Sequence, residues 1–510
     1  MKEIYSMKIK RMISAALAAL MLLGTLASCA TGDDTEETTE NPLSSETEEG
    51  TLISSDLPEE LNYDGDEVTI ISRYKEGWTS GEIAVEGIKG EPVNDAVFER
   101  NKAVEARLNI KIVSIEDDNP SHNAVVNKVV SAVSGGLKDY DIVASPCYTT
   151  LPVTLNGTFV NLRNDKCEYL DLDGKPWWIQ GFNEAVEYQG AQYAVLGSMV
   201  LSMYRFGFVT VFNKDMFTNA SQPFLYEYVK DGTWTLAKQA ELVPIFYNDD
   251  GNGQQDLVGD TYGFVSSTYT NIDGYWSACK LDIIRKDEDG NLKVVIDMER
   301  LSGVVDGLLQ LFHNTSNGTL DMPMSEDDTI WAGIRKIFAD GYAAMASFRF
   351  MEMENSEMRN MAQQYGVVPL PKYDVNQDKH YTLLHDQFTV LSVPATVTGD
   401  GLTQMSAVLE AMSSASYTIV KPVYYEDTLR TKIAQDPTAS DMMDIITENV
   451  YIDAGILYIS VLGDYHHYLR NIIKSRTNNA VSLYTSRNKA CQKALQNLSK
   501  KLDKLIARDN

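Results

Sequence analysis

Between Glu67 and Ala144 the chain alternates between two hydrophobic periods, and this alternation constrains the fold more than any other feature. Glu67 to Ser72 (EVTIIS) is a short β-branched run, and Pro92 to Leu108 sets Val93, Ala96, Val97, Val104 and Leu108 at helical spacing. Asn109 to Ile115 (NIKIVSI) returns to the two-residue period. A helix from Ser121 to Val133 ends at Gly135-Gly136, and Tyr140 to Ala144 (YDIVA) is a third apolar strand. The order βαβαβ calls for a parallel sheet with helices on its faces. Ligands of such sheets sit beyond the carboxyl ends of the strands, here Arg73 to Trp78 and Ser145 to Thr149.

A second region opens with Gly207 to Phe217 (GFVTVFNKDMF), a strand running into a turn, and Gly232-Thr233-Trp234-Thr235 precedes a helix from Leu236 with Thr235 as its N-cap. Trp234 is expected to pack beneath that helix start. A strand follows at Tyr262 to Ser267, then helices at Glu299 to His313 and Glu326 to Asp340, the latter capped by Ser325 with Asp328 three residues on. Gly341 to Ser347 (GYAAMAS), Tyr365 to Pro371 (YGVVPLP) and Gln387 to Val393 (QFTVLSV) read as short strands. From Gly401 to Asn510 nearly everything reads as helix. Trp177 and Trp178 are adjacent, so their rings should point two ways, with one in the core.

The N-terminal stretch MKEIYSMKIKRMISAALAALMLLGTLASC carries Lys2, Lys8, Lys10 and Arg11 ahead of an apolar run from Met12 to Thr25. That run is too short for a bilayer core of about 30 Å, which needs about twenty residues, so residues 1–28 read as an export signal. Leu26-Ala27-Ser28-Cys29 resembles the bacterial lipobox, which implies that the Cys29 thiol is alkylated by a diacylglycerol and becomes the new N-terminus. Residues 29–60 are rich in Thr, Ser, Glu and Asp and cannot bury enough apolar surface to order. They read as an acidic, disordered tether with a reach of roughly 30 Å. The location implied is the extracytoplasmic face of the cell membrane, with the membrane touched through the lipid anchor alone.

The remaining length, about 450 residues, exceeds what one hydrophobic core serves, so at least two domains are expected. The chain has 44 Lys plus Arg against 72 Asp plus Glu, a formal charge of −28, which argues against nucleic acid or anionic lipid as partners. Cys147, Cys167, Cys279 and Cys491 show no CxxC spacing. In an exported chain Cys147 and Cys167 are candidates for a disulfide, with buried free thiols as the alternative.

Taken in order, the lipobox, GFVTVFNKDMF, the GTWT helix start, DLVGDTYGF, FADGYAAM, YGVVPLPKYD and QFTVLSV resemble the extracellular solute-binding proteins of family 1, substrate-binding lipoproteins of carbohydrate-type ABC importers. The resemblance implies an α/β, two-lobed periplasmic-binding-protein-like (type II) fold with an interlobe ligand cleft and a helical C-terminal part. It places lobe one at Leu61 to Val200 plus Met345 to Pro394, and lobe two at Tyr204 to Gly341 plus Ala395 to Asn510. It further implies three chain crossings, closure on a small solute of sugar or oligosaccharide type, work as a monomer, and permease subunits as partners. A surface lipoprotein feeding a sensor would share this sequence pattern.

A sugar cleft needs aromatic platforms with polar side chains between them, and 27 Tyr against 15 Phe suits amphipathic surfaces. Matching the cleft loops of the family by position implies ligand contacts from Arg73, Tyr74 and Trp78, and from Ser145, Cys147 and Tyr148. Tyr269, Asp273, Tyr275 and Trp276 follow past the DTYGF string. Arg349 and Phe350 come after GYAAM, and His385, Asp386 and Gln387 lead into the late strand. Trp78, Tyr148, Trp276 and Arg349 are the leading candidates.

Asn248 to Asp260 (NDDGNGQQDLVGD) resembles a calcium loop, with Asn248, Asp250, Asn252, Gln254 and Asp256 as candidate ligands and Gly253 at the sharp turn. Gly259 stands where a bidentate Glu usually closes the site. No cofactor is otherwise implied. His122, His313, His380, His385, His466 and His467 include no HExxH spacing, and no GxSxG or Walker loop is present, so the reading is of a binder with no catalytic residues. A glycoside hydrolase stays open as an alternative, because paired carboxylates leave no local signature.

Overall fold

The structure, a computed structural model, describes residues 56–255, 259–313, 318–322, 329–430 and 437–509. The export signal, Cys29, the tether through residue 55, Asp256 and the Ser325 cap lie outside these residues. Among the described residues no helix is long and apolar enough to cross a membrane.

The first half folds as its periods dictate. Strand β1 (Asp66–Arg73), helix α1 (Pro92–Leu108), β2 (Ile110–Asp117), α2 (Ala124–Ser134), β3 (Ile142–Pro146) and α3 (Cys147–Thr154) follow in order. β1 lies parallel between β2 and β3, with Ile70 beside Ser114 and Ile142. Val68, Ile70, Ile71, Ile142 and Val143 are fully buried, as befits central strands covered on both faces. Pro92 begins α1, where its missing N–H costs nothing, and Asn109 ends it in the left-handed region at φ 49°.

The second half builds a different sheet. Its strands are β4 (Phe208–Asn213), β5 (Tyr262–Ser266), β8 (Thr319–Asp321), β9 (Ala343–Arg349) and β10 (Tyr365–Pro369), while β6 (Ile284–Lys286) and β7 (Leu292–Val294) form a separate hairpin. The order is β10-β4-β9-β5-β8, with β5 parallel to β8 and β9 and β4 antiparallel to β9 and β10. Helices α4 (Asn271–Ala278), α5 (Met298–His313) and α6 (Thr329–Ala339) pack around it. Asn213 caps the helix after β4 by accepting from the Met216 N–H at 3.1 Å, and Thr235 accepts from the Lys238 N–H at 3.2 Å. Trp234 is fully buried beneath that start and donates to the Pro369 carbonyl at 2.9 Å.

The strand pairing corrects the expected division of the chain. β9 and β10, assigned above to lobe one, belong to the second sheet, and β11 (Thr389–Ser392) joins the first, antiparallel to β3. Helix α7 (Asp400–Ala415), assigned to lobe two, packs on α1 in lobe one. There Arg100, wholly buried, donates to the Met199 carbonyl at 2.9 Å and to Ser416 Oγ at 3.2 Å. The chain then returns, and α8 (Pro437–Glu448) covers β10. α9 (Tyr468–Ser475) and α10 (Ala480–Asp509) follow. α10 begins against α5 and ends on lobe one, where Arg508 donates to the Gly157 carbonyl at 3.0 Å and Tyr193 donates to Asp509 at 2.8 Å.

Both Trp177 and Trp178 are buried, and their indole N–H groups donate to the two oxygens of one carboxylate, Glu410, at 3.1 Å and 2.9 Å. The expectation of one core ring assumed extended backbone. Here a turn from Lys175 replaces it, with the Trp178 N–H on the Lys175 carbonyl at 3.3 Å, so both rings reach α7. All four cysteines described are buried and unpaired, which leaves Cys147 and Cys167 as separate thiols.

Burial pushes the Glu410 carboxyl up from 4.5 to about 7, against the pull of the two indole donors. The folded state therefore holds this proton where the unfolded state has released it, and the contribution of Glu410 to stability falls as pH rises between those values. Replacing Glu410→Gln removes that slope. The melting temperature of the variant relative to wild type should rise from pH 5 to pH 7.5, as followed by thermal denaturation.

Candidate functional site

Strand ends from both sheets converge on one cluster. β1 ends at Arg73, β3 runs into Cys147 and Tyr148, β5 leads to Tyr269 and Asp273, and β9 ends at Arg349. The segment Leu383 to Gln387 crosses between the sheets beside Phe206 to Phe208. The two segments are joined by the His385 N–H on the Phe206 carbonyl at 2.9 Å and the Phe208 N–H on the Leu383 carbonyl at 3.1 Å. His385, Asp386 and Gln387 thus lie where the lobes meet, at the carboxyl ends of the strands.

Trp78 sits at the centre. Its ring has Phe206 and His385 edge-on at 5.5 Å and 5.6 Å, the Lys75 ammonium 3.2 Å from its centroid, and the Arg349 guanidinium at 4.2 Å. Trp331 stacks the same guanidinium at 4.3 Å. Trp78 is 8% exposed, so this residue, expected as an open sugar platform, instead works as a holder of cations.

The charges are arranged in pairs. Arg349 Nε donates to Glu352 at 3.1 Å, and Arg335 shares that carboxylate. Arg470, from α9, holds both oxygens of Asp273, with its Nε at 2.6 Å, and lies over the Tyr269 ring at 5.0 Å. Arg73 Nη1 donates to Gln387 Oε1 at 2.8 Å. Asp386 is surrounded by Arg470, Arg349 and Arg73, yet burial and Asp273 outweigh them and push its carboxyl up to about 6. Burial, then Arg349, Arg470 and Lys75, hold His385 well below the usual imidazole range. His122 hydrogen-bonds Tyr148 and is lowered by burial, Arg73 and Lys75. The Asp386 side chain keeps 34% of its surface accessible amid this crowd.

Arg73, Trp78, Cys147, Tyr148, Tyr269, Asp273, Arg349 and Asp386 are therefore brought together, with Tyr74 at the rim against Glu76. Ser145, Tyr275, Trp276 and Phe350 are not. Every residue of α4 is buried, Tyr275 packs edge-on to Phe312 at 5.8 Å, and Trp276 lies between His466 and Tyr484 at 6.3 Å and 6.1 Å. Phe350 stacks on Tyr424 at 6.2 Å, and Ser145 is fully buried in β3. Residues that sequence reasoning missed are Lys75, His122, Trp331, Glu352, His466 and Arg470. Lys75 lies inside a loop already singled out, whereas Arg470 comes from a helix with no motif.

Asp273, His466 and His467 offer ligand atoms within 4.8 Å of one another, but Arg470 occupies both Asp273 oxygens and its charge opposes a metal ion there. In the acidic loop the grouping differs from the expected calcium set. Among its described residues, Asn248 pairs its backbone with Thr261, Asn252 Oδ1 accepts the Gln254 N–H at 2.7 Å, and the carboxylates that gather are Asp249, Asp250 and Asp260.

No family model and no curated protein matches the chain. Solved structures do match in fold. A sugar transporter protein of Rhizobium etli in an open conformation superposes with a TM-score of 0.52 at 14% identity, covering 84% of this chain and 99% of that one. The galacto-N-biose/lacto-N-biose I-binding protein of the ABC transporter of Bifidobacterium longum, in complex with lacto-N-biose, gives 0.51 at 14% identity, covering 86% and 98%. UgpB of Mycobacterium tuberculosis, in complex with glycerophosphocholine, gives 0.50 at 16% identity, covering 83% and 99%. At these identities the likeness establishes a two-lobed binding-protein fold for this chain.

Because Trp276 is core, its truncation should act on stability first. Trp276→Ala should lower the unfolding free energy by about 3 to 5 kcal/mol in urea denaturation, the range for a large buried aromatic. A stability loss under about 1 kcal/mol would place the ring outside the core.

Proposed function

We propose that this chain is an extracytoplasmic solute-binding protein, anchored through lipid at Cys29, that closes its lobes on a small carbohydrate and delivers it unaltered to the permease subunits of an ABC importer. The observation that carries the reading is the convergence of β1, β3, β5 and β9 on one polar cluster beside paired crossing segments. A ligand there touches both sheets at once, so its binding energy favours closure of the lobes. Lacto-N-biose in the Bifidobacterium longum protein supports the carbohydrate class, and the acidic, Ser- and Thr-rich composition of residues 29–60 supports a lobe pair that stands off the membrane.

The work is recognition. Aromatic rings such as Tyr269 and Tyr148 offer C–H contacts, and Gln387, Asp386 and the guanidinium groups offer hydrogen bonds to hydroxyls. The lobes need partners only to read the closed state, which is the part assigned to the permease.

A thermal-shift panel of mono- and oligosaccharides tests this directly. A true ligand at a hundred times its dissociation constant stabilises by about 2.7 kcal/mol, and chromatography after hours of incubation should return it intact. New products would assign the cleft to a hydrolase instead.

A further inference from the structure

Among the described residues the cluster at the strand ends holds more cationic than anionic groups, in a chain whose total charge is −28. Asp273 is spent on Arg470, and Glu352 is shared between Arg335 and Arg349. Among the described residues that leaves Asp386 as the carboxylate whose charge acts on Arg73, and the side-chain hydrogen bond of Arg73 goes to the neutral Gln387. Arg349 is 1% exposed, and among the described residues its Nη1 has no partner although Nε and Nη2 both reach Glu352. A buried guanidinium N–H left without an acceptor carries the full desolvation penalty, which an incoming acceptor relieves.

Two planar guanidinium groups, Arg73 and Arg349, therefore keep donor capacity to spare at the carboxyl ends of β1 and β9, the second fixed between two tryptophan rings at 4.2 Å and 4.3 Å. Such forks match the paired oxygens of a carboxylate or a phosphate better than single hydroxyls. Asp386 takes part of the charge, and the lowered basicity of Arg73, caused by burial and only partly offset by Asp386, agrees with incomplete compensation.

We propose that the solute is a saccharide bearing an acidic group, which is set against Arg73 and the free Nη1 of Arg349. This rests on the reading of the chain as a carbohydrate-binding protein and names the class of sugar. Neutral sugars then bind through the same aromatic rims but leave the Arg349 donor unmet.

Calorimetry of the purified protein with matched pairs decides it: glucuronate against glucose, digalacturonate against galactobiose, and glucose 6-phosphate against glucose. At least one acidic member should bind about tenfold or more tighter than its neutral partner. Within the acidic class, the uronates and the sugar phosphate separate a carboxylate from a phosphate source. Raising salt should weaken the acidic ligand and leave a neutral one unchanged. Arg73→Gln should cut acidic affinity about tenfold and neutral affinity by a smaller factor, and the salt response of the wild type serves as the readout if that variant folds poorly. Neutral partners bound as tightly as acidic ones, or a salt-independent acidic affinity, overturn the proposal and leave the sugar reading standing. No binding by either member of any pair overturns both.

Discussion

The two crossing segments are the constraint on which the rest depends. Phe206 to Phe208 and Leu383 to His385 run side by side, so the first and second passages between the sheets are one short antiparallel ladder. Around it a buried polar network is closed. Glu82 accepts from the Ser202 N–H at 2.8 Å, from Ser202 Oγ at 2.6 Å and from Thr389 Oγ1 at 2.7 Å, and the Thr389 N–H donates to Ser202 Oγ at 2.9 Å. Burial raises the Glu82 carboxyl, and these donors work against that rise. Arg205, beside it, pairs with Glu354 at 3.1 Å, which in turn accepts from Tyr424 at 2.8 Å. Each passage is thereby fixed to the same few groups, and small backbone rotations there swing whole lobes.

Placing the hinge at this point also places the chemistry. His385 is the last residue of the ladder and Asp386 the first beyond it, so the cleft floor and the hinge are consecutive in the chain. Trp78 couples them, since its edges meet Phe206 and His385 while its faces serve Lys75 and Arg349. A solute that moves Arg349 disturbs a ring already packed on the hinge. For the proposed solute, contact at Arg349 and lobe position would be linked through packed side chains without any long path between them.

How much of this was readable depended on the range of each interaction. The βαβαβ alternation, the Thr235 cap and the buried Trp234 are local, and residue periods and capping chemistry expose them. Arg73, Arg349 and Asp386 were found because strand ends in such sheets are where ligands go. β9 and β10 were placed in the wrong lobe because antiparallel pairing with β4, more than a hundred residues earlier, leaves no local mark. Trp276 was misread because α4 is buried on every side, and a helix without a polar face offers no period to say which ring points inward. Arg470 was invisible for the opposite reason. It is a cation on an amphipathic helix, where a solvated face is the ordinary explanation.

The contrast between a strongly acidic chain and a cationic cleft is resolved by distance and dielectric. At physiological salt charges more than about 8 Å apart through water are screened, so the net negative charge of the chain acts on a distant group only weakly. Arg349, 1% exposed between two indoles, is in a different regime, where interactions are stronger and the loss of water has already been incurred in folding. The net negative charge of the chain thus acts through screened water, while the buried guanidinium acts by short-range contact. The two charge patterns therefore serve separate ends, and the burial of Arg349 by Trp78 and Trp331 is what keeps them apart.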